Sequence, residues 1–207
     1  MNRHTATVSA HGSATEENSA STWLRRARRA VLRRWPTVLG LVCGGDAVLS
    51  ETTDGSVRGY AQALVLLPLL YLVLAAVDRR RWSWPVLLAC LVGYVGLRFQ
   101  DWVDATVVVL AVALAVAVWS AGHRGRRERT YRLQLVGMAG FVTVAIVGQT
   151  VDADLARYVV AAGWLGHGIW DFVHLARDRV VTRSYAEWCG VFDVVVGVSL
   201  LVVPLVR

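Results

Sequence analysis

Between Tyr158 and Asp193 the chain reads YVVAAGWLGHGIWDFVHLARDRVVTRSYAEWCGVFD, which sets His167, Asp171 and His174 inside one strongly apolar segment and Asp193 in the next. Imidazole and carboxylate groups exchange protons readily, and holding them in hydrocarbon is costly, so their presence there marks function. The spacing i, i+4, i+7 gathers the first three on roughly a third of a helix circumference, with Trp164 and Trp170 beside them. The chemistry this set supports is acid–base: Asp171 or Asp193 as proton donor, His167 setting the donor's proton affinity, and aromatic faces able to stabilise a developing cation.

Depth follows from counting residues to the flanking arginines. His167 lies ten residues before Arg177 and Asp193 ten after Arg183, which puts both about 15 Å from the inner boundary. Asp46, twelve residues past Arg34, is expected at similar depth and joins the catalytic set. Asp171 sits a turn nearer the cytoplasm, and His174 reaches the inner interface. With Trp164, Trp170 and Tyr71, His174 is expected to line the substrate side. On the last segment Ala186, Gly190, Asp193 and Gly197 form a stripe of small residues that turns Asp193 toward another helix. The plainer alternative is that His167 and Asp193 only tie two helices together. Two turns separate the two histidines, which disfavours a metal held by His167, Asp171 and His174, and no metal or other cofactor is expected.

The elements that must position these groups are membrane helices. The 207 residues are 56% hydrophobic, with a mean hydropathy of +0.47, too apolar for an ordinary soluble domain. The net charge of +7 comes from arginine, since there is no lysine. These arginines lie in short clusters between apolar runs and no base-reading module accompanies them, which sets nucleic acid aside as a partner. Cys43, Cys90 and Cys189 each lie in an apolar run without metal-ligand spacing and read as small buried hydrophobes.

Residues 1–22 read as a disordered tail and 23–35 as a basic amphipathic helix at the membrane surface, or simply a positive flank to the first span. Apolar segments follow at 36–53, 57–77, 83–99, 103–121, 133–150, 155–176 and 185–206, most of them long enough to cross about 30 Å of hydrocarbon. The first is the weakest, because Gly44, Gly45 and Asp46 interrupt it. Outside residues 1–35 and the loops 78–82, 122–132 and 177–184, the only arginines are Arg58, Arg98, Arg157 and Arg207. A multi-pass cell-membrane protein is expected, with a cytoplasmic N-terminus and the C-terminus outside.

SETTDGSVRGYAQAL (50–64) aligns with GQTVDADLARYVVAA (148–162), pairing Thr52 with Thr150, Asp54 with Asp152 and Tyr60 with Tyr158; further on, Asp78 pairs with Asp178 and Cys90 with Cys189. The expected fold is therefore an all-α bundle of seven transmembrane helices in 36–207. It divides into two parallel three-helix repeats, 36–99 and 133–206, joined by a linking helix at 103–121. This layout resembles the three-one-three arrangement of the SWEET and PnuC transporters in span count and repeat order, without a PQ-loop motif. Only the second half carries the ionisable ladder, since Leu67, Tyr71, Leu74 and Tyr94 stand opposite His167, Asp171, His174 and Asp193.

That asymmetry leans toward acid–base chemistry on a lipid or isoprenoid-type substrate. A proton- or cation-coupled carrier of a small molecule, or a structural or assembly protein, are the alternatives. Without lysine no retinal Schiff base forms, and no phosphate-binding loop is present. The expected partners are the bilayer and a lipid-soluble or small-molecule substrate.

Overall fold

The computed structural model describes residues 23, 34–50, 52–100, 102–123 and 129–206. The tail 1–22, nearly all of the basic segment 23–35, the loop at 124–128 and Arg207 lie outside the described residues. The described chain is all-α. Its helices are α1 (Trp35–Leu49), α2 (Asp54–Val77), α3 (Ser83–Arg98), α4 (Ala105–His123), α5 (Arg129–Thr150), α6 (Ala153–Arg177) and α7 (Arg183–Val206), with one 3₁₀ turn at Arg80–Trp82 before α3.

Each boundary has a local cause. Thr53 caps α2 in a capping box with Ser56, and the Asp152 carboxylate accepts the Leu155 N–H at 3.1 Å to start α6. Asp104 does the same for α4, taking the Thr106 N–H at 2.7 Å. Helices α2 and α6 end alike, on Asp78 and Asp178 in the left-handed region with φ of 56° and 48°, a conformation that aspartate tolerates better than most residues.

Three helices are long and apolar enough to cross a membrane: α2, α5 and α7. Helix α6 has 25 residues, and its Asp154, Arg157, His167, Asp171 and His174 make it the polar one. Helices α1 and α3 have 15 and 16 residues. Helix α1 is continuous through Gly44, Gly45 and Asp46 rather than broken there.

Glycines bring the helices close. A β-carbon on Gly40 would stand 2.7 Å from the Trp188 carbonyl oxygen, and one on Gly44 2.8 Å from Val195 Cγ1, so α1 lies directly on α7. Between α6 and α7, a β-carbon on Gly168 would come 3.3 Å from the Gly190 carbonyl oxygen, and one on Gly190 3.2 Å from Asp171 Cβ. The small-residue stripe of α7 thus meets α6 at van der Waals distance, as helix pairs with small-residue stripes do in membranes. Helix α2 is the other half of the core, packing on α4, α5 and α6. Its Leu64, Val65, Leu70 and Leu72 are buried.

Candidate functional site: a closed His/Asp/Cys cluster between α6 and α7

His167, Asp171 and Asp193 converge, and each is 0% exposed. His167 Nδ1 is 2.7 Å from Asp193 Oδ2 and 3.4 Å from Asp171 Oδ2. One ring nitrogen thus faces two carboxylates, one from a turn further along its own helix and one from α7. The close approach at Gly168 and Gly190 makes this geometry, because any side chain there would push the two helices apart.

The surrounding groups hold Asp171 and leave other atoms free. The Tyr71 hydroxyl, on α2, donates a short hydrogen bond to Asp171 Oδ1. Three buried polar atoms of the cluster have no hydrogen-bond partner: His167 Nε2, Asp171 Oδ2 and Asp193 Oδ1. Groups removed from water in this way are costly unless a proton, an ion or a water satisfies them. With Nδ1–H donated to Asp193, His167 is an imidazole–carboxylate dyad whose Nε2 keeps a lone pair free.

Cys189 completes the set. Its sulfur, His167, Asp171 and Asp193 each offer a ligand-type atom within 4.8 Å of the others, and all four residues are buried. The thiol donates to the Tyr185 hydroxyl at 3.6 Å. Reading Cys189 as an inert apolar residue missed this, although Tyr185, Cys189 and Asp193 follow one another at i, i+4, i+8 on α7, a spacing visible in the sequence.

His174 sits a turn below Asp171 and is held by two bonds. Nδ1 lies 2.9 Å from the Trp170 carbonyl, which can only accept, so Nδ1 carries the hydrogen; Nε2 then accepts from the Gln134 amide at 3.1 Å. The Tyr71 ring connects the two levels, its centroid 4.8 Å from that of His174 and 5.7 Å from that of His167. Gln134 and His174 also line an open cleft of about 980 Å³ with Arg129, Arg132, Arg177 and Arg179. The ladder therefore begins in a basic cleft where α5 starts and α6 ends, and climbs through His174, Tyr71 and Asp171 to His167 and Asp193.

The remaining expected site residues divide. Trp170 stands over His174 at 5.1 Å and edge-on to Phe141, whose ring is 4.9 Å from that of His167. Gly137 leaves the room for it: a β-carbon there would lie 2.9 Å from the Trp170 ring. Trp164 is buried but serves the level above, its indole N–H donating to the Tyr60 carbonyl at 3.1 Å. Tyr71 is more than the wall expected of it, since its hydroxyl grips Asp171. Asp46 does not join the cluster. It is exposed on α1, because Gly40 and Gly44 set the face that α1 turns to α7 and Asp46 lies two residues on, about 200° around the helix. Comparison with known protein families, with curated proteins and with solved structures finds no match for this chain.

Proposed function

We propose that this chain is a seven-span membrane protein whose His167–Asp193 dyad, with Asp171, takes up and releases protons through the inner cleft, as the coupling centre of a proton-linked carrier of a cation or small molecule. The observation that carries this reading is the buried cluster itself. Two carboxylates share a fully buried site with one imidazole, which carries at most one positive charge, so a proton or another cation must balance the rest. The ladder of His174, Tyr71 and Asp171 supplies groups that hand a proton from the cleft to the dyad.

The membrane setting is supported by an inverted distribution of polarity. Leu88, Val92, Leu114 and Val136 are more than 60% exposed, whereas His167, Asp171, His174 and Asp193 are buried. In a bilayer α2, α5 and α7 span at full length, α6 spans because its polar face is turned inward, and α1, α3 and α4 complete the seven as shorter apolar helices. The internal duplication has support of its own. Tyr71 and Asp171, paired by the alignment, bond to each other. Equivalent positions that touch lie near the axis relating two repeats. Packing outside the axis is not equivalent, because α1 lies on α7 while its counterpart pair, α5 on α3, is absent from the main helix packings.

A second reading has one observation in its favour: the rings of Tyr71, Phe141 and Trp170 gather around the two histidines, as they would to stabilise a cationic intermediate in acid–base chemistry on an isoprenoid-type lipid. Mass spectrometry of lipid retained on purification separates the two, since a stoichiometric isoprenoid favours the enzyme. For the carrier, the test is Asp193→Asn, which keeps the shape and removes the titrating group. The variant should keep its thermal stability to within a few degrees and lose proton uptake in a pH-jump measurement with an indicator dye. Unchanged proton uptake in a folded Asp193→Asn protein would refute the reading, and leave the His167–Asp193 bond as a tie between helices.

A further inference from the structure

We propose that the cluster of His167, Asp171, Cys189 and Asp193 is a binding site for a divalent transition-metal ion of the zinc class, and that the ion and protons replace one another there. The proposal rests on the reading above, that the cluster is a cation- and proton-handling centre, and gives the cation a chemical identity.

The donor set selects the metal. A thiolate, an imidazole and two carboxylates suit zinc and its neighbours such as cobalt(II) or iron(II), whereas magnesium and calcium take oxygen ligands almost alone. Zinc bonds of about 2.0–2.3 Å place tetrahedral ligands roughly 3.3–3.8 Å apart. The four ligand atoms already lie within 4.8 Å of one another, a spread that small side-chain rotations close.

The unpartnered atoms point the same way. Asp171 Oδ2 and Asp193 Oδ1 are fully buried without a hydrogen-bond donor, which is the condition of a carboxylate lone pair awaiting a cation. Tyr71 holds the other oxygen of Asp171, acting as the outer partner that orients a ligating carboxylate. The backbone already fixes the ligands, with one helical turn on each of α6 and α7 and one close crossing between them, so little ordering is left for the ion to impose.

Protons balance the exchange. The Cys189 thiol, bonded to the Tyr185 hydroxyl, loses its hydrogen as the metal–sulfur bond forms. Coordination of His167 through Nδ1 requires the Nδ1 hydrogen to leave that nitrogen, and Nε2 is free to carry it. Each ion therefore releases the thiol proton, together with any proton held by a ligating carboxyl group.

Full-length protein in detergent, stripped with a chelator and then incubated with zinc, tests this by elemental analysis after gel filtration. Close to one ion per chain is expected, with a proton released on binding. Cys189→Ser and Asp193→Asn should each lower retention at least tenfold. Cobalt(II) on the unmodified chain should give the near-ultraviolet thiolate-to-cobalt charge-transfer band, which needs no variant to fold and disappears in Cys189→Ser. Folded protein that retains no zinc, or cobalt bound without that band, overturns the proposal; so does retention unchanged in both variants, which would place the ion elsewhere. Proton uptake lost in Asp193→Asn while the unmodified chain holds no metal would overturn this site and leave the proton-handling reading standing.

Discussion

Tyr71 shows what a single residue does here. It was expected as a cavity wall, and it is instead the donor that fixes Asp171 while its ring separates His174 from His167. Tyr71→Phe keeps the ring and removes the donor, leaving a buried carboxylate with one partner fewer. Such a loss costs about 1–3 kcal/mol, so thermal unfolding in detergent should fall by several degrees; an unchanged melting temperature would mean that the bond holds nothing. The pairing of His167 with Asp193 was legible because counting from arginines gives depth, and two ionisable groups at one depth in successive antiparallel helices have every reason to meet. Depth does not give azimuth, and for that reason Asp46 was placed wrongly: it faces away from α7. Cys189 was overlooked for a different reason, since a buried thiol in an apolar run looks the same whether it packs or ligates.

At the scale of the helices, glycines decide which faces meet. Gly40→Val would drive a branched side chain into the Trp188 backbone and Val191, whereas nothing lies within 4 Å of a β-carbon at Gly45. The first should destabilise the protein by about 1–3 kcal/mol through overpacking. Gly45→Ala should be neutral or stabilising by up to about 1 kcal/mol through helix propensity. Chemical or thermal denaturation of the two variants side by side checks the contrast, and equal effects would contradict the packing of α1 on α7. The small-residue stripe of α7 was readable as a contact surface because its period is helical. The partner of α1 was not, since nothing in a local pattern says which of six other helices a glycine face will find.

For the whole molecule, the sequence announced helices, and apolar faces turned outward with ionisable ones inward is what a bilayer asks of a bundle. The proposed duplication rests on matched Thr, Asp and Tyr positions, and the unequal packing of the two halves was not legible there, because it depends on long-range choices that sequence similarity leaves open. The proposed topology rests on the arginines: reporter fusions should place 124–128 in the cytoplasm and the C-terminus outside, and an exported reporter at Glu128 would sink the seven-span arrangement.

All of these features serve one claim, that the buried carboxylate beside His167 exchanges protons with the inner aqueous side. Infrared difference spectroscopy on the reconstituted, metal-free protein measures it directly, following the carbonyl stretch of a protonated carboxyl group as the bathing pH is lowered. The account predicts a band at the high frequency of a group out of contact with water, shifting in D₂O and absent from Asp193→Asn. A spectrum identical in the two proteins would contradict it.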